Sequence, residues 1–302
     1  MKFLLFSDYH YTPRYYRTLG PEGIRIMQKH AEEAGCDMMI HCGDFTSPTE
    51  YPDFVKAYND FHIPSYHCFG NHDMDECTME DAMRLYNMPN DYYHFDMGGY
   101  RFIVTNTSYF HDGEKFQPYS NKNYMNYPNT RETMSPEQLN WLKETIESSP
   151  YPCILFSHAS FERCNGLVNY REVQDIIDNA NKKKHHSVLM SINGHHHRDF
   201  IRVRNNVIYY DMNSASMDWT GEVPHNGYPK EACGDYELMQ NTICFNDPLH
   251  AIITLEGSTV TIEGMESSML LGITRESLGL PIYDNCGRPV TPSVTSEKIT
   301  LG

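Results

Sequence analysis

Five short apolar runs in this chain each stop at a cluster of polar, metal-capable side chains, and that repeated arrangement restricts the possible folds more than any other feature. The runs are Phe3 to Ser7, Met38 to Cys42, Ser65 to Phe69, Ile154 to Ser157 and Val188 to Asn193. The clusters are Asp8-Tyr9-His10, Gly43-Asp44, Gly70-Asn71-His72-Asp73, His158 and Gly194-His195-His196-His197. Short apolar runs without alternation read as strands buried on both faces. Helix-like segments lie between several of them, at Glu22 to Gly35, Tyr51 to Phe61, Met79 to Tyr86 and Ser135 to Ser148. The last has Ser135 as N-cap, Pro136 at the first helical position and Gln138 to complete a capping box. Such alternation predicts βαβ units, whose ligands gather beyond the carboxyl ends of the strands. Every cluster occupies that kind of position. Further strands are expected at Tyr100 to Asn106 and Val207 to Met212, with a hairpin of Leu249 to Leu255 and Ser258 to Gly264 around Glu256-Gly257.

The clusters hold the donors of a two-metal hydrolytic site. Asp8 and His10 are separated by one residue, so at a frayed strand end both side chains can face one side. Asp44, released by Gly43, offers two oxygens, as bridging two cations requires, and Asn71 offers a neutral amide oxygen. His158, His195 and His197 add imidazole nitrogens, the last two again spaced to project together. Oxygen and imidazole donors without thiolate suit Mn, Fe, Zn or Co. Paired cations lower the pKa of a shared water, clamp phosphoryl oxygens and stabilise a leaving oxygen, so hydroxide formed at the metals serves as nucleophile. His72 is left over after coordination and is the natural general acid. Asp73 is expected either to hold the His72 ring or to cap the following helix. Each motif alone has an ordinary explanation, for His158 a satisfied strand-end histidine; their joint occurrence is what argues for metal.

The order D-x-H, G-D, G-N-H-D, H, G-H-x-H resembles the calcineurin-like metallophosphoesterase superfamily, from about Phe3 to His197. The resemblance implies an α/β fold, a four-layer α/β/β/α sandwich with two mixed sheets and a dimetal site at the carboxyl ends of the strands. It implies that Asp8, His10, Asp44 and His197 hold one transition-metal ion and Asp44, Asn71, His158 and His195 the other. His72 matches the catalytic histidine, and His196 the variable position of the last motif. The protein-phosphatase branch carries arginines after its G-D and G-N-H-E motifs. Here Phe45-Thr46-Ser47-Pro48 follows Asp44, and no arginine follows Asp73 before Arg84. That departure points to the bacterial cyclic-nucleotide and phosphodiester branch. Two dications, two carboxylates, one hydroxide and one diester monoanion also sum to roughly zero, whereas a monoester dianion leaves excess negative charge.

Forty acidic against 24 basic side chains give a formal charge of -16, which repels long nucleic acid and anionic membrane. The partner is expected to be a small phosphoester, possibly a nucleotide; a homo-oligomer is open. Lys182-Lys183-Lys184 reads as a solvated helix end. Nine cysteines without C-x-x-C do not make a disulfide framework, and a reducing, cytoplasmic location is expected. The first strand meets Asp8 at once, leaving no room for a secretory signal, and no apolar stretch approaches the ~20 residues needed to span a bilayer.

One phosphoesterase domain is expected over residues 1–265, with 266–302 as an extension of unreadable role. Residues 108–133 and 217–248 are too long for connectors and read as walls or lids. Tyr9, Tyr11, Tyr109, Tyr124 and Trp219 are candidates to stack a nucleobase, and His225 to touch substrate; packing roles are the alternative. His41, His67 and His94 are expected to be structural. The leading function is a dinuclear-metal phosphodiesterase for a small nucleotide-like diester. A phosphomonoesterase or nuclease of the same superfamily and a catalytically silent scaffold are the alternatives; acidic composition disfavours the nuclease, and a complete ligand set the scaffold.

Overall fold

Phe3, Leu4, Leu5 and Phe6 are all buried, but successive side chains enter different compartments. Phe3 and Leu5 pack with Met38, Ile40, Phe102, Val104, Ile154 and Phe156. Leu4 and Phe6 pack with Met39, Ile24, Met27 and Ala31. A strand sends alternate residues to opposite faces, so a run that is apolar at every position needs cover on both. Each such side chain removed from water contributes about 2 kcal/mol.

The computed structural model describes residues 1–16, 19–163, 165–222, 224–284 and 286–302. Its first large sheet has the strand order Glu297–Thr300, Thr259–Gly264, Ala251–Glu256, Lys2–Phe6, Met38–His41, Ser65–His67. The second has the order Phe200–Arg204, Val207–Asp211, Val188–Asn193, Cys153–Phe156, Tyr100–Val104, Tyr93–Met97. Both mix parallel and antiparallel pairs: Lys2–Phe6 runs parallel to Met38–His41 and antiparallel to Ala251–Glu256. Helices Gly20–Ala34, Pro52–Asn59 and Met79–Tyr86 cover the first sheet through Ile24, Met27, Phe54, Tyr58 and Ala82. Helices Pro136–Glu147 and Tyr170–Lys183 cover the second through Leu142, Ile146, Val173 and Ile177. The fold is therefore the four-layer α/β/β/α sandwich expected from the sequence.

Several local expectations change. Ser135 caps its helix by accepting from the Gln138 amide at 3.2 Å, but the Gln138 side chain does not close a capping box. It instead accepts from the Asn106 amide and donates to the Asn106 carbonyl, both at 2.8 Å. Asn106 lies beyond its strand, where a buried peptide group has no ladder partner and must find one elsewhere. The edge strands Tyr93–Met97 and Phe200–Arg204 escape sequence notice because polar residues dilute their apolar pattern. Residues 266–302, set apart in sequence, are built into the body: Glu297–Thr300 pairs with Thr259–Gly264, and Val294 and Leu301 enter the core between the sheets.

Lys183 ends its helix and pairs with Glu147, while Lys184 donates to the carbonyls of Ser149 and Pro150. Cys164 lies outside the described residues, and the other eight cysteines are free thiols. Among the described residues no helix is long and apolar enough to cross a membrane.

Candidate dimetal centre

The five clusters meet at one edge of the sandwich because the strands that carry them end there side by side. Backbone bonds lace the strand-end loops together: Asp8 N to Gly43 O at 3.0 Å, His10 N to Asp44 O at 2.9 Å and Gly194 N to His158 O at 3.1 Å. Asp8, His10 and His197 bring one donor atom each within 4.8 Å of one another, and Asp44, His158 and His195 form a second such group. An Asp44 carboxylate oxygen lies 3.2 Å from His158 Nε2 and 3.7 Å from His10 Nε2, so it reaches both groups. Asn71 Oδ1 lies 3.1 Å from His158 Nε2. All seven sequence-selected donors are thus in one place.

The convergence is not made as the spacing suggests. Asp8, His10, Asp44, His195 and His197 have φ of 50°, 48°, 49°, 70° and 52°. Left-handed conformations cost a residue with a side chain of order 1 kcal/mol or more and persist only when surroundings impose them. Asp8 and His10 therefore meet through a left-handed turn beyond the strand, not through alternation along it. His195 and His197 do not project together either; they serve different groups. Two glycines permit the crowding. A Cβ on Gly70 would sit 2.1 Å from Asp44 Oδ1, and one on Gly194 1.9 Å from Ser7 Oγ and 2.3 Å from Asp8 Oδ2.

The donor chemistry fits cations. His158 Nδ1 donates to the Cys42 carbonyl at 2.7 Å, which leaves the Nε2 lone pair facing Asp44, Asn71 Oδ1 and, at 3.2 Å, His195 Nδ1. His197 Nδ1 donates to the Met217 carbonyl at 3.1 Å, leaving Nε2 facing His10 Nε2 at 3.1 Å and Asp8 Oδ1 at 3.3 Å. These tautomers follow from the carbonyl partners. Lone pairs aimed at other acceptors at such distances demand a positive charge between them. Burial opposes charge on His158, yet the Asp44 and Asp8 carboxylates lift it to about 10, so a proton competes with a cation for the Nε2 lone pair. Burial, with His158 beside it, pushes His195 down to about 3, and burial pushes His10 down to about 4, which leaves both rings neutral and ready to donate lone pairs.

His72 stands at the rim with about half of its side chain exposed (52 %). Its ring centroid is 5.4 Å from that of His10, and its backbone amide donates to Asp44 Oδ1 at 2.8 Å. Its Nδ1 bonds Asp75 Oδ2 at 2.8 Å, which corrects the expectation that Asp73 holds the ring. His72–Met74 is a 3₁₀ turn, in which residues three apart eclipse, so Asp75 and not Asp73 lies under the imidazole. Asp73 points the other way and is buried. It accepts from the amides of Gly70 at 2.7 Å, Phe45 at 2.8 Å and Asp44 at 3.2 Å, and from the Tyr86 hydroxyl at 2.7 Å. Its work is to shape the loop that presents Asp44, not to move a proton or cap a helix.

A buried histidine pair supports the same loop. His67 Nε2 donates to Asn59 Oδ1 at 2.6 Å, His41 Nε2 donates to His67 Nδ1 at 2.7 Å, and the Gly43 amide donates to His41 Nδ1 at 3.1 Å. The chain of bonds works only with both rings neutral, and burial pushes His41 down to about 3 and His67 well below its usual range. The unfolded chain takes up protons near pH 6.5 where the folded one refuses them. Stability is thus intact above about 6.5 and falls with pH below it, by about 1.4 kcal/mol per pH unit and ring. His10, His195, His196 and His250 share the direction. Urea unfolding in chelator at pH 7 and pH 5 should show a large loss of stability at the lower pH; an unchanged midpoint would refute the neutral relay.

The walls are structured. Residues 108–133 contain the hairpin Tyr109–His111 with Phe116–Pro118, and residues 217–248 pair Met217–Trp219 with Thr242–Cys244. The nucleobase candidates are mostly packing groups: Tyr9 is buried with its hydroxyl on the Gly20 carbonyl, Tyr11 stacks on Phe54 at 4.0 Å, and Tyr109 bonds Asp91. Only Trp219 is substantially exposed among the five. His225 bonds the Thr242 carbonyl. The tail contributes Arg275 to Asp218, which also holds Arg198, and Arg288 to Asp211, so it braces the turn that carries His197. Asp75 was readable as the residue three after His72; the tail arginines carried no local signal.

Comparison with known proteins gives a consistent picture. The profile described as calcineurin-like phosphoesterase matches residues 1–199. No curated protein matches the chain in sequence. Among solved structures, a dimetal phosphatase from Danio rerio is similar with a TM-score of 0.64 at 13% identity, over 100% of this chain and 99% of that one. GAP50, described as the anchor in the inner membrane complex of Plasmodium, is similar with a TM-score of 0.54 at 11% identity, over 100% and 89%. At such identities the likeness is one of fold.

Proposed function

Because the chain belongs to the calcineurin-like phosphoesterase family, and so to the metal-dependent phosphoester hydrolases, we propose that it is a dinuclear phosphodiesterase for a small, nucleotide-like diester. Asp8, His10 and His197 would hold one ion, Asn71, His158 and His195 the other, and Asp44 would bridge them. The observation that carries this reading is the Asp44 carboxylate lying within reach of both donor groups. Two transition-metal ions, Mn, Fe or Zn, supply Lewis acidity, activate water near neutral pH and offset charge on phosphoryl oxygens.

The protein's own groups do the rest. Cys42 and Met217 carbonyls hold His158 and His197 in the donor tautomer. Asp75 holds the His72 Nδ1 proton, so Nε2 is the atom from which a proton passes to the leaving oxygen. The diester preference rests on charge. Lys122, the wall cation beside Asp75, is already paired with Glu76 and lies 3.8 Å from Asp75, so it is not a free grip for a second phosphate charge.

The metal-loaded protein should hydrolyse bis(4-nitrophenyl) phosphate at least about tenfold faster in kcat/KM than 4-nitrophenyl phosphate, a difference of about 1.4 kcal/mol in transition-state stabilisation. A monoester preference after loading with each of Mn, Fe and Zn would reject the diesterase reading.

A further inference from the structure

We propose that the Ser7 hydroxyl is a positioning device that lets Asp8 bind through one oxygen only and so commits it to a single ion, the one shared with His10 and His197; this rests on the dimetal reading above. Ser7 is fully buried, directly beyond the strand Lys2–Phe6. Its hydroxyl donates to Asp8 Oδ2 at 2.5 Å, a length usual for an O–H given to an ionised oxygen. The His195 amide reaches the same oxygen at 3.0 Å and lies 3.2 Å from Oδ1.

An ionised carboxylate only accepts, and each of its oxygens has two lone-pair positions. Ser7 and His195 take both positions on Oδ2, which leaves that oxygen none for a cation. Oδ1 is the oxygen turned to the imidazoles, with His197 Nε2 at 3.3 Å and His10 Nε2 at 3.8 Å. Asp44 is placed differently: its Oδ1 accepts the His72 amide, and its Oδ2 reaches both donor groups. One aspartate therefore spans the centre and the other is confined to one side of it. The backbone around Ser7 gives the hydroxyl its direction. The Ser7 carbonyl accepts the Ala215 amide at 2.8 Å, the Asp8 amide donates to the Gly43 carbonyl at 3.0 Å, and the Asp8 carbonyl accepts the Ser214 hydroxyl at 2.7 Å. Gly194 supplies the room, since a Cβ there would lie 1.9 Å from Ser7 Oγ. Ser7 acts through Asp8 and touches neither ion nor substrate.

Ser7→Ala removes the hydroxyl and frees a lone-pair position on Oδ2. Calorimetric titration of the metal-free wild type with Mn(II) should show two binding steps, and His197→Ala, which strips its group of a donor, marks the step that belongs to Asp8. In Ser7→Ala that step should weaken about tenfold while the other stays within about threefold. Ser157 is the control, for it is equally buried, also precedes a ligand, His158, and gives its hydroxyl to the Ala159 carbonyl at 2.9 Å. Ser157→Ala should leave both steps near wild type. A crystal structure of the Mn(II)-loaded wild type should show Asp8 bound through Oδ1 alone. Bidentate Asp8, or wild-type affinity at both steps in Ser7→Ala, would overturn the proposal. Equal weakening of the two steps in Ser7→Ala would do the same, as would matching losses in Ser157→Ala, since loss of any buried hydroxyl would then account for them. A wild type that takes up no Mn(II) would overturn it together with the metal assignment. If the wild type binds two ions but hydrolyses neither ester, the functional reading fails and the titration still decides the role of Ser7.

Discussion

Asp44→Ala is expected to lower turnover at least about a thousandfold and to erase the stabilisation that metal gives the wild type. The expectation follows from the number of tasks one buried carboxylate performs. One oxygen faces His158 and His10 at 3.2 and 3.7 Å, and the other accepts the His72 amide at 2.8 Å. Without it neither donor group keeps its shared anion, and loss of several kcal/mol of charge stabilisation corresponds to about three orders of magnitude in rate. Metal present at about a thousand times its Kd stabilises the native state by about 4 kcal/mol, roughly 5 to 10 °C in melting temperature for a chain of this size. The variant should show no such rise. In chelator it should melt lower than the wild type, since Asp44 is then the charge partner of buried His158 and its carboxyl is held well below the usual carboxylate range. Wild-type metal content in Asp44→Ala would end the bridging assignment.

His72→Ala should behave differently, with kcat reduced about 10²- to 10³-fold and both ions retained, the range for loss of a general acid. Burial disfavours charge on His72, but Asp44 and the Asp75 hydrogen bond outweigh it and raise the imidazole to about 9. An acid must carry its proton, so the wild-type rate should fall as pH rises through that pKa, and it should fall on the acid side as well, where the water that the metals activate keeps its proton. Bound cations offset Asp44 and bring the fall to lower pH, while Asp75 continues to favour the protonated ring. The descending limb should be absent from His72→Ala. Loss of metal from this variant, measured by elemental analysis, would show that His72 is a ligand and not the acid.

The legible and illegible parts of the chain divide along physical lines. Phe3 to Ser7 and Val188 to Asn193 could be recognised as strands because residues covered on both faces must be apolar at every position. The polar clusters were recognisable because strand ends are where a parallel sheet leaves side chains free. The left-handed turns at Asp8 and His195 carry no signature in residues that rarely adopt them. The choice of Asp75 over Asp73 turned on the helical type of a three-residue turn. Gln138 looked like a cap residue because sequence shows the local partner and not Asn106, 32 residues away. Glu297–Thr300 is short and mostly polar, as an exposed edge strand should be, and only its place beside Thr259–Gly264 makes it part of the sheet.

The position of Lys2–Phe6 has a consequence for how the molecule is made. The strand lies in the middle of its sheet, and one of its neighbours, Ala251–Glu256, follows it only far along the sequence, with Lys2 opposite Thr254. Pairing across so long a separation in sequence slows folding, because the loop must close before its contacts reward it. Asp8 stands directly beyond that strand and meets His197, which lies far along the sequence at the end of a strand of the other sheet. The two donor groups are therefore assembled only when both sheets have folded against each other, and capture of paired cations would belong to the folded sandwich and not to either sheet alone.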